Sequence, residues 1–524
     1  MIVIPKIGSK INWELFFIIL LFAVSFLYRI YGLSTHNPPF WVDEFSSANQ
    51  GKILLKHGFS AFVNPEFVIE HYNVTTHLLI AATYRLFGVN ELAARLPIVL
   101  IGSFVPIAVY LLAKFLFNQA VAISASLLTL FSYFEIVWSR QARGYIIVQF
   151  LLLLTLLFYL RIIGQKKSRP FLILLFSFSI LSGILTHPFF YLVLLTLVLH
   201  FLITNLKRIP KLIKNPFFYL TALGLAVSAS QIGLVKGLIS QFKAGTFVSN
   251  NLWYYHSFLW REYGILTLLG ILGYLIYFFR NRKTAILLLL YLAIHLLFVS
   301  FGFKPYVSRY LLPVFPLFLI GMSFSLWQLL STLPSRHSRF RVIWLTLLTL
   351  FIVLSGHKFT GKPKKYYSLN HDFREIANID YNLVYDIIKA KLPEDREKSV
   401  VIETWWDRAR WYLDENFKNI KILRWNDAGY INGLPTRTEC SVNSIGEKIL
   451  KGTTVKLVLE KKDLEFYLKN YPVGFIFIDD SSLPNDVIEF AEKNFKKEQY
   501  LDHYPLDDNP YSIWPATLYS WGVE

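Results

Sequence analysis

The sequence predicts a polytopic α-helical membrane protein with about 11 transmembrane helices and a C-terminal extracytoplasmic α/β domain. Three observations carry that prediction. Of 524 residues, 54% are hydrophobic and the mean hydropathy is +0.43, a load that a soluble chain of this length rarely carries. Apolar runs recur from residue 13 to residue 356. After residue 357 the composition turns polar, with short apolar runs at 400–402 and 475–478 and an amphipathic stretch at 486–494. The chain thus divides into a membrane module, 1–357, and an α/β domain, 358–524.

The spans read as 13–31, 95–117, 120–138, 145–163, 170–186, 189–204, 216–235, 262–279, 285–301, 309–330 and 340–356. Several fall slightly short of the roughly 20 residues that cross a bilayer, so their edges are set only to within a few positions. No small-residue cleavage site follows the first run, so it is expected to be retained as a helix.

The run at 74–87 is shorter still. At about 1.5 Å per residue it reaches about 21 Å, against a hydrocarbon core of about 30 Å. Charge decides its place. The basic connections are Lys166, Lys167 and Arg169; Lys207, Arg208, Lys211 and Lys214; Arg280, Arg282 and Lys283; and Arg336, Arg339 and Arg341. If 74–87 does not span, all of them share a side with Lys6 and Lys10, as the positive-inside rule requires. The expected topology has the N-terminus cytoplasmic, a first outer loop at about 32–94 with a half-inserted helix, and the C-terminal domain outside, in a cell membrane.

The net charge of +18 then marks cytoplasmic loops, and no nucleic-acid partner is implied. The single cysteine, Cys440, excludes an internal disulfide and a thiolate metal cluster.

This topology gathers polar residues at the outer ends of spans. Asp43 and Glu44 follow the first span. Glu70 and His71 precede 74–87. Arg140, Arg143 and Tyr145 occupy the turn 139–145, His187 the next outer turn, and Lys304, Tyr306, Arg309 and Tyr310 a later one. Each alone has an ordinary explanation: a solvated acid pair, an arginine snorkelling to headgroups, an aromatic belt, a histidine ending a helix. Adjacent Glu70 and His71 without a third ligand make a weak metal pair.

Together the residues fit one site. Two carboxylates supply a base and an orienting group, and arginine and lysine at that depth suit a lipid phosphate. Sugar transfer from a lipid phosphate needs a base for the incoming nucleophile and cations for the departing phosphate, which leaves without protonation.

The acid pair at 43–44, the segments Gly88-Val89-Asn90-Glu91 and Ala94-Arg95-Leu96-Pro97, the turn 139–145, Thr186-His187 and Ser308-Arg309-Tyr310-Leu311-Leu312-Pro313 stand in an order that resembles the GT-C superfamily of integral-membrane glycosyltransferases. The likeness is to its protein O-mannosyltransferase and lipid A aminoarabinose transferase branch, and covers about residues 13–330.

It implies a GT-C-like fold, a polyprenyl-phosphate sugar donor, and an acceptor that is a glycan, lipid or protein on the non-cytoplasmic side. Asp43 would be the base, with Glu44 orienting the acceptor or a cation. Arg143, Arg309, Lys304 and Tyr310 would face the donor phosphate, and Glu70, His71, Tyr145 and His187 the substrates. Some members of the superfamily need a divalent cation and others do not, so the cofactor stays open. Relatives usually carry an acidic or His residue followed by Pro-Pro-Leu before the half-inserted helix, where this chain has Glu70-His71-Tyr72-Asn73-Val74-Thr75 without either proline, and often Gln-Glu where it has Arg140-Gln141.

The segment 236–261, with Trp253, Tyr254, Tyr255, His256 and Trp260, is expected as an outer acceptor-side or lid loop. Trp405, Trp406, Trp411 and Tyr412 fit a helix packed on the small sheet better than a sugar platform. The sequon at Asn73 abuts the membrane and is read as chance. A transporter or flippase for a lipid-linked or anionic substrate is the alternative. It is expected to place its polar groups near the mid-plane, often within internal repeats, and the sequence shows neither.

Overall fold

The computed structural model describes residues 12–35, 38–62, 73–164, 170–205, 250–302, 306–332, 338–356, 358–365, 367, 379–404, 408–413, 419–422, 440–450, 456–479, 483–502 and 515–523. The span expected at 216–235 lies outside them, as do Glu70, His71 and Lys304.

The helical part comprises α1 (Trp13–Ile30), α2 (Val42–His57), α3 (Val74–Phe87), α4 (Glu91–Leu116), α5 (Gln119–Phe131), α6 (Tyr133–Trp138), α7 (Tyr145–Ile163), α8 (Pro170–Ile184), α9 (Phe190–Thr204), α10 (Leu252–Phe278), α11 (Arg282–Leu297), α12 (Phe315–Ser331) and α13 (Ser338–Ser355). Among the described residues, six helical segments are long and apolar enough to cross a membrane, and four more are apolar but shorter. α3 is 14 residues long and is not among them.

Local chemistry sets the boundaries. Asn12, Asn90, Asn118 and Asn281 each precede a helix and accept a backbone N–H through the side chain, satisfying a donor that the first turn leaves free. α10 and α12 approach closely where both carry glycine. A Cβ on Gly273 would lie 2.1 Å from the Gly321 carbonyl oxygen, so only small residues permit that contact.

Two expectations change. The run 120–138 is not one helix. Ser132 takes an extended conformation (ψ 122°) and breaks it into α5 and α6. Its backbone neighbours pair with a later segment instead: Tyr133 N–H donates to the Lys358 carbonyl at 2.9 Å, and Thr360 N–H to the Phe131 carbonyl at 2.9 Å. Such a pairing across more than two hundred residues leaves no local trace in an apolar run.

The described part of the expected 236–261 loop is also different. Residues 252–261 form the first turns of α10, which kinks at Tyr263 (φ −141°, ψ 28°). Trp253 and Tyr254 lie against Tyr306, so aromatic packing holds that end of the helix.

The segment 358–365 follows the helical part. It passes over the end of α1, where the Tyr28 hydroxyl donates to the Gly361 carbonyl at 2.7 Å. Gly32 has φ 74°, and a Cβ there would meet Lys365 Cα at 2.4 Å, so glycine serves both the turn and the close approach.

The C-terminal part holds α14 (Tyr381–Lys391), β1 (Ser399–Glu403), α15 (Arg408–Tyr412), β2 (Asn419–Ile422), β3 (Cys440–Val442), β4 (Lys448–Leu450), β5 (Lys456–Val458), α16 (Lys461–Asn470), β6 (Val473–Ile478), α17 (Asn485–Asn494), β7 (Lys496–Leu501) and β8 (Ala516–Trp521). They build one sheet in the order β3-β4-β5-β2-β1-β6-β8-β7. The four central strands are parallel and the flanking pairs antiparallel.

Residues alternate across the central strands, as the strand period of two requires. Val400, Ile402 and Ile476 face the cluster containing Leu464 and Tyr467 of α16 and Val487 and Ala491 of α17. Val401, Phe475 and Phe477 face the other way, into a cluster shared with α14 and with Phe40, Phe45, Ile80 and Tyr84 of the helical part. Trp411 of α15 packs on Phe40 and Tyr84, the packing role the sequence suggested for it. The sheet domain therefore packs on α2 and α3 through α14 and α15, with Tyr381 against Phe45 and Trp411 against Phe40 and Tyr84. This end of the helical bundle is its sheet side.

Candidate active site

The site is built on the first turn of α2. Glu44 closes that turn: its Oε2 accepts the Trp41 N–H at 2.9 Å, while Glu44 N–H donates to the Trp41 carbonyl at 2.8 Å. The rest of its carboxylate is held from α4 and the turn 139–145. Arg95 Nε donates to Oε1 at 2.8 Å, Arg95 Nη2 to Oε2 at 2.6 Å, and Ala142 N–H to Oε1 at 2.7 Å. Both groups are fully buried, so this two-pronged pair is compensated by its hydrogen bonds rather than by water. Arg95 also donates to the Pro38 and Pro39 carbonyls, which fixes the chain entering α2.

Asp43 lies one residue earlier and faces another way. Its Oδ2 accepts from Arg309 Nη2 at 3.0 Å, with the two side chains 15% and 12% exposed. Arg309 is the second residue of the short 3₁₀ segment Ser308–Val314 that leads into α12. Its Nε donates to the Tyr145 hydroxyl at 3.3 Å. The guanidinium carbon sits 4.8 Å from the Trp41 ring centroid, 5.7 Å from Trp138, 5.6 Å from Tyr145 and 5.7 Å from Tyr310. Four aromatic rings thus surround one cation beside one carboxylate, an attraction that strengthens where water is thin.

Arg143 approaches Asp43 from the turn 139–145. Its Nη1 donates to the Asp43 carbonyl at 3.2 Å and to the Ser47 hydroxyl at 3.3 Å. Arg140, three residues earlier in the same turn, is spent on structure. It is buried, donates to the Arg29, Tyr31 and Lys365 carbonyls, and stacks on Tyr367 at 4.9 Å.

His187 is half-buried against Tyr145, with ring centroids 5.1 Å apart, and its Nδ1 accepts the Phe189 N–H at 3.2 Å. Burial, helped by the charges of Arg143, Arg309 and His295, pushes its pKa down to about 3. Tyr310 is buried beside both Tyr145 and Phe189.

The structure therefore brings Asp43, Arg143, Arg309, Tyr145, His187 and Tyr310 together and turns Glu44 away into a buried ion pair. Among the described residues no group of three or more His, Cys, Asp or Glu side chains is arranged to hold a metal ion.

Sequence reasoning gave no role to Arg95, Trp41, Trp138, Ser47 or His77. Arg95 had a signal: a cation in the first turns of a helix opposes the helix dipole, which points to a specific acid. His77 is buried on α3, and its ring nitrogens have no hydrogen-bond partner among the described residues. Burial and the nearby Arg143 push its pKa down to about 3.

Comparison with known proteins gives consistent findings. A family model for dolichyl-phosphate-mannose-protein mannosyltransferases matches residues 74–232. A search of curated protein sequences gives no match. ArnT from Cupriavidus metallidurans in the apo state is similar over 97% of this chain and 98% of its own, with 13% identity and a TM-score of 0.60. The same protein bound to undecaprenyl phosphate gives 13% identity and a TM-score of 0.58 over the same shares. The apo oligosaccharyltransferase of Archaeoglobus fulgidus gives 14% identity and a TM-score of 0.50 over 90% of this chain and 70% of its own. The helical bundle, its sheet domain and these likenesses together give this chain an ArnT-like fold.

Proposed function

We propose that this protein transfers a sugar from a polyprenyl-phosphate-linked donor to an acceptor at the extracytoplasmic membrane face, with Asp43 as the base. The contact between Asp43 and Arg309, with Arg143 touching the same residue, is the observation that carries the reading. It sets a proton acceptor and two permanent cations within one side chain's length of each other, and the aromatic rings around Arg309 limit water.

The chemistry follows from that placement. The acceptor's hydroxyl or amine approaches the anomeric carbon and gives its proton to Asp43. The bond between that carbon and the phosphate oxygen breaks as the new bond forms. The phosphate departs unprotonated, and Arg309 and Arg143 hold the charge that grows on it, the kind of electrostatic stabilisation that dominates many enzymatic rate enhancements. In the free protein Arg309 is partnered by Asp43 itself, so donor binding competes for the guanidinium and frees the carboxylate to act.

Glu44 acts at one remove. Its four hydrogen bonds fix the first turn of α2 against α4 and the turn 139–145, and so aim Asp43. Tyr145 orients Arg309, and Tyr310 and His187 form the apolar wall behind it. Lys304 is proposed for the donor phosphate, and Glu70 and His71 for the substrates, from the sequence and the resemblance. The positive-inside pattern puts the sheet side, and hence this site, outside the cytoplasm.

The test is transfer itself. Purified protein incubated with radiolabelled polyprenyl-phosphate sugars should release label from at least one donor, to an added glycan, lipid or protein acceptor or to water. Uptake of intact donor into vesicles without any release would contradict it.

A further inference from the structure

A cavity lined by none of the residues around Asp43 lies on the flank of the bundle between α10, α12 and α13. It is an open groove of about 700 Å³. Its lower wall is apolar, formed by Leu266, Leu269, Met322, Leu326 and Ile352. Its sheet-side end is different: Arg261, Glu262 and Lys358 line it, with Trp260 beside them.

Glu262 is nearly buried and pairs with both Arg261 and Lys358. Two cations against one acid leave that end with one net positive charge. Arg261 is 55% exposed, so its pairing with Glu262 leaves much of the side chain uncovered. Trp260, 64% exposed, lies near the N-terminal end of the apolar helix α10, beside these charges, the kind of position that indoles favour at a membrane interface. The kink of α10 at Tyr263 falls at the junction of the charged and apolar parts.

An apolar trough with a cationic rim is complementary to an anionic amphiphile. We propose that this groove holds an anionic glycerophospholipid of the sheet-side leaflet, an acyl chain along Leu266, Met322 and Ile352 and the phosphate at Arg261 and Lys358. A zwitterionic lipid offers the same chain without net charge, so the rim should discriminate between them. The occupant also touches the connection to the sheet domain, because Phe359 forms part of the wall and its neighbour Lys358 is paired to the α5–α6 break. The inference does not depend on the reaction proposed above.

Native mass spectrometry of the full-length protein in detergent tests it, with phosphatidylglycerol and phosphatidylcholine of matched chains added in turn. One net charge at a membrane surface predicts about fivefold greater retention of phosphatidylglycerol. Arg261→Gln/Lys358→Gln should abolish that preference. Leu266→Trp, which fills the trough and leaves the rim intact, should lower retention of both lipids, and decides the matter if the double variant does not fold. Equal retention of the two lipids by the wild type, or unchanged retention in the trough variant, would overturn the proposal. So would stoichiometric displacement of phosphatidylglycerol by undecaprenyl phosphate, which would make the groove a donor-chain site instead.

Discussion

Asp43 and Arg309 are 266 residues apart in sequence and 3.0 Å apart in space. The contact joins the first turn of α2 to the entry of α12, and the turn 139–145 completes it through Arg143 and Tyr145. An acid and a cation in such contact, ringed by aromatic side chains, form a place where a phosphate can exchange for a carboxylate.

Arg309→Ala removes the cation while leaving Asp43 in place. Loss of one preorganised donor to a developing charge costs roughly 10²–10³ in rate. Transfer should fall by that order, and Arg309→Lys should recover only part, because a point charge does not reproduce two directed N–H donors. Initial rates with a saturating labelled donor check this.

Glu44→Gln leaves Arg95 buried without its countercharge. Breaking a buried pair from one side costs about 3–5 kcal/mol. The thermal midpoint in detergent should drop clearly. Glu44→Gln/Arg95→Met, which removes both charges, should regain much of it. A Glu44→Gln variant as stable as wild type would mean that the pair does not hold the turn.

Acid should destabilise the protein through two histidines. His77 and His187 are both held near a pKa of about 3, against 6.5 for an ordinary histidine. Below pH 6.5 the unfolded chain binds protons that the native state refuses. Stability therefore falls as pH drops from about 6.5 towards 3. At pH 5 the loss is about 2 kcal/mol for buried His77, at about 1.4 kcal/mol per pH unit, and less for half-buried His187. Unfolding midpoints at pH 7 and pH 5 should differ, and His77→Gln should narrow the gap.

Gly144→Val probes the packing of the turn that carries Arg143. A Cβ at Gly144 would lie 2.7 Å from the Thr76 hydroxyl and 3.0 Å from Asn73 Oδ1. Overpacking of this kind costs about 1–3 kcal/mol. The substitution should lower the midpoint and reduce transfer more than its stability loss alone explains, measured at a temperature where the variant remains folded.

Much of this arrangement is legible in the chain. Hydropathy marks the apolar helices from α1 to α13, and the change in composition after residue 357 marks the sheet domain. The residues that meet at Asp43 are visible as polar groups at one set of span ends. Partner choice within the acid pair is not visible. Asp43 and Glu44 are neighbours of similar chemistry, and only the helix phase and the position of Arg95 send one into a buried pair and the other to Arg309. The same holds for Arg140 and Arg143. Three residues apart on one turn, one is consumed by carbonyls and the other reaches Asp43. The break at Ser132 depends on a segment more than two hundred residues later, and the helical start of α10 on aromatic contacts with Tyr306. Long-range pairing of this sort has no periodic signature.

Asp43→Asn tests the central claim most directly, because it keeps size and can still accept from Arg309 while removing the base. Loss of a general base lowers rates by about 10²–10⁴. Purified Asp43→Asn, with a thermal midpoint near that of wild type, should bind the labelled polyprenyl-phosphate donor and transfer its sugar at no more than about 1% of the wild-type rate. Equal rates from the two proteins would contradict the account.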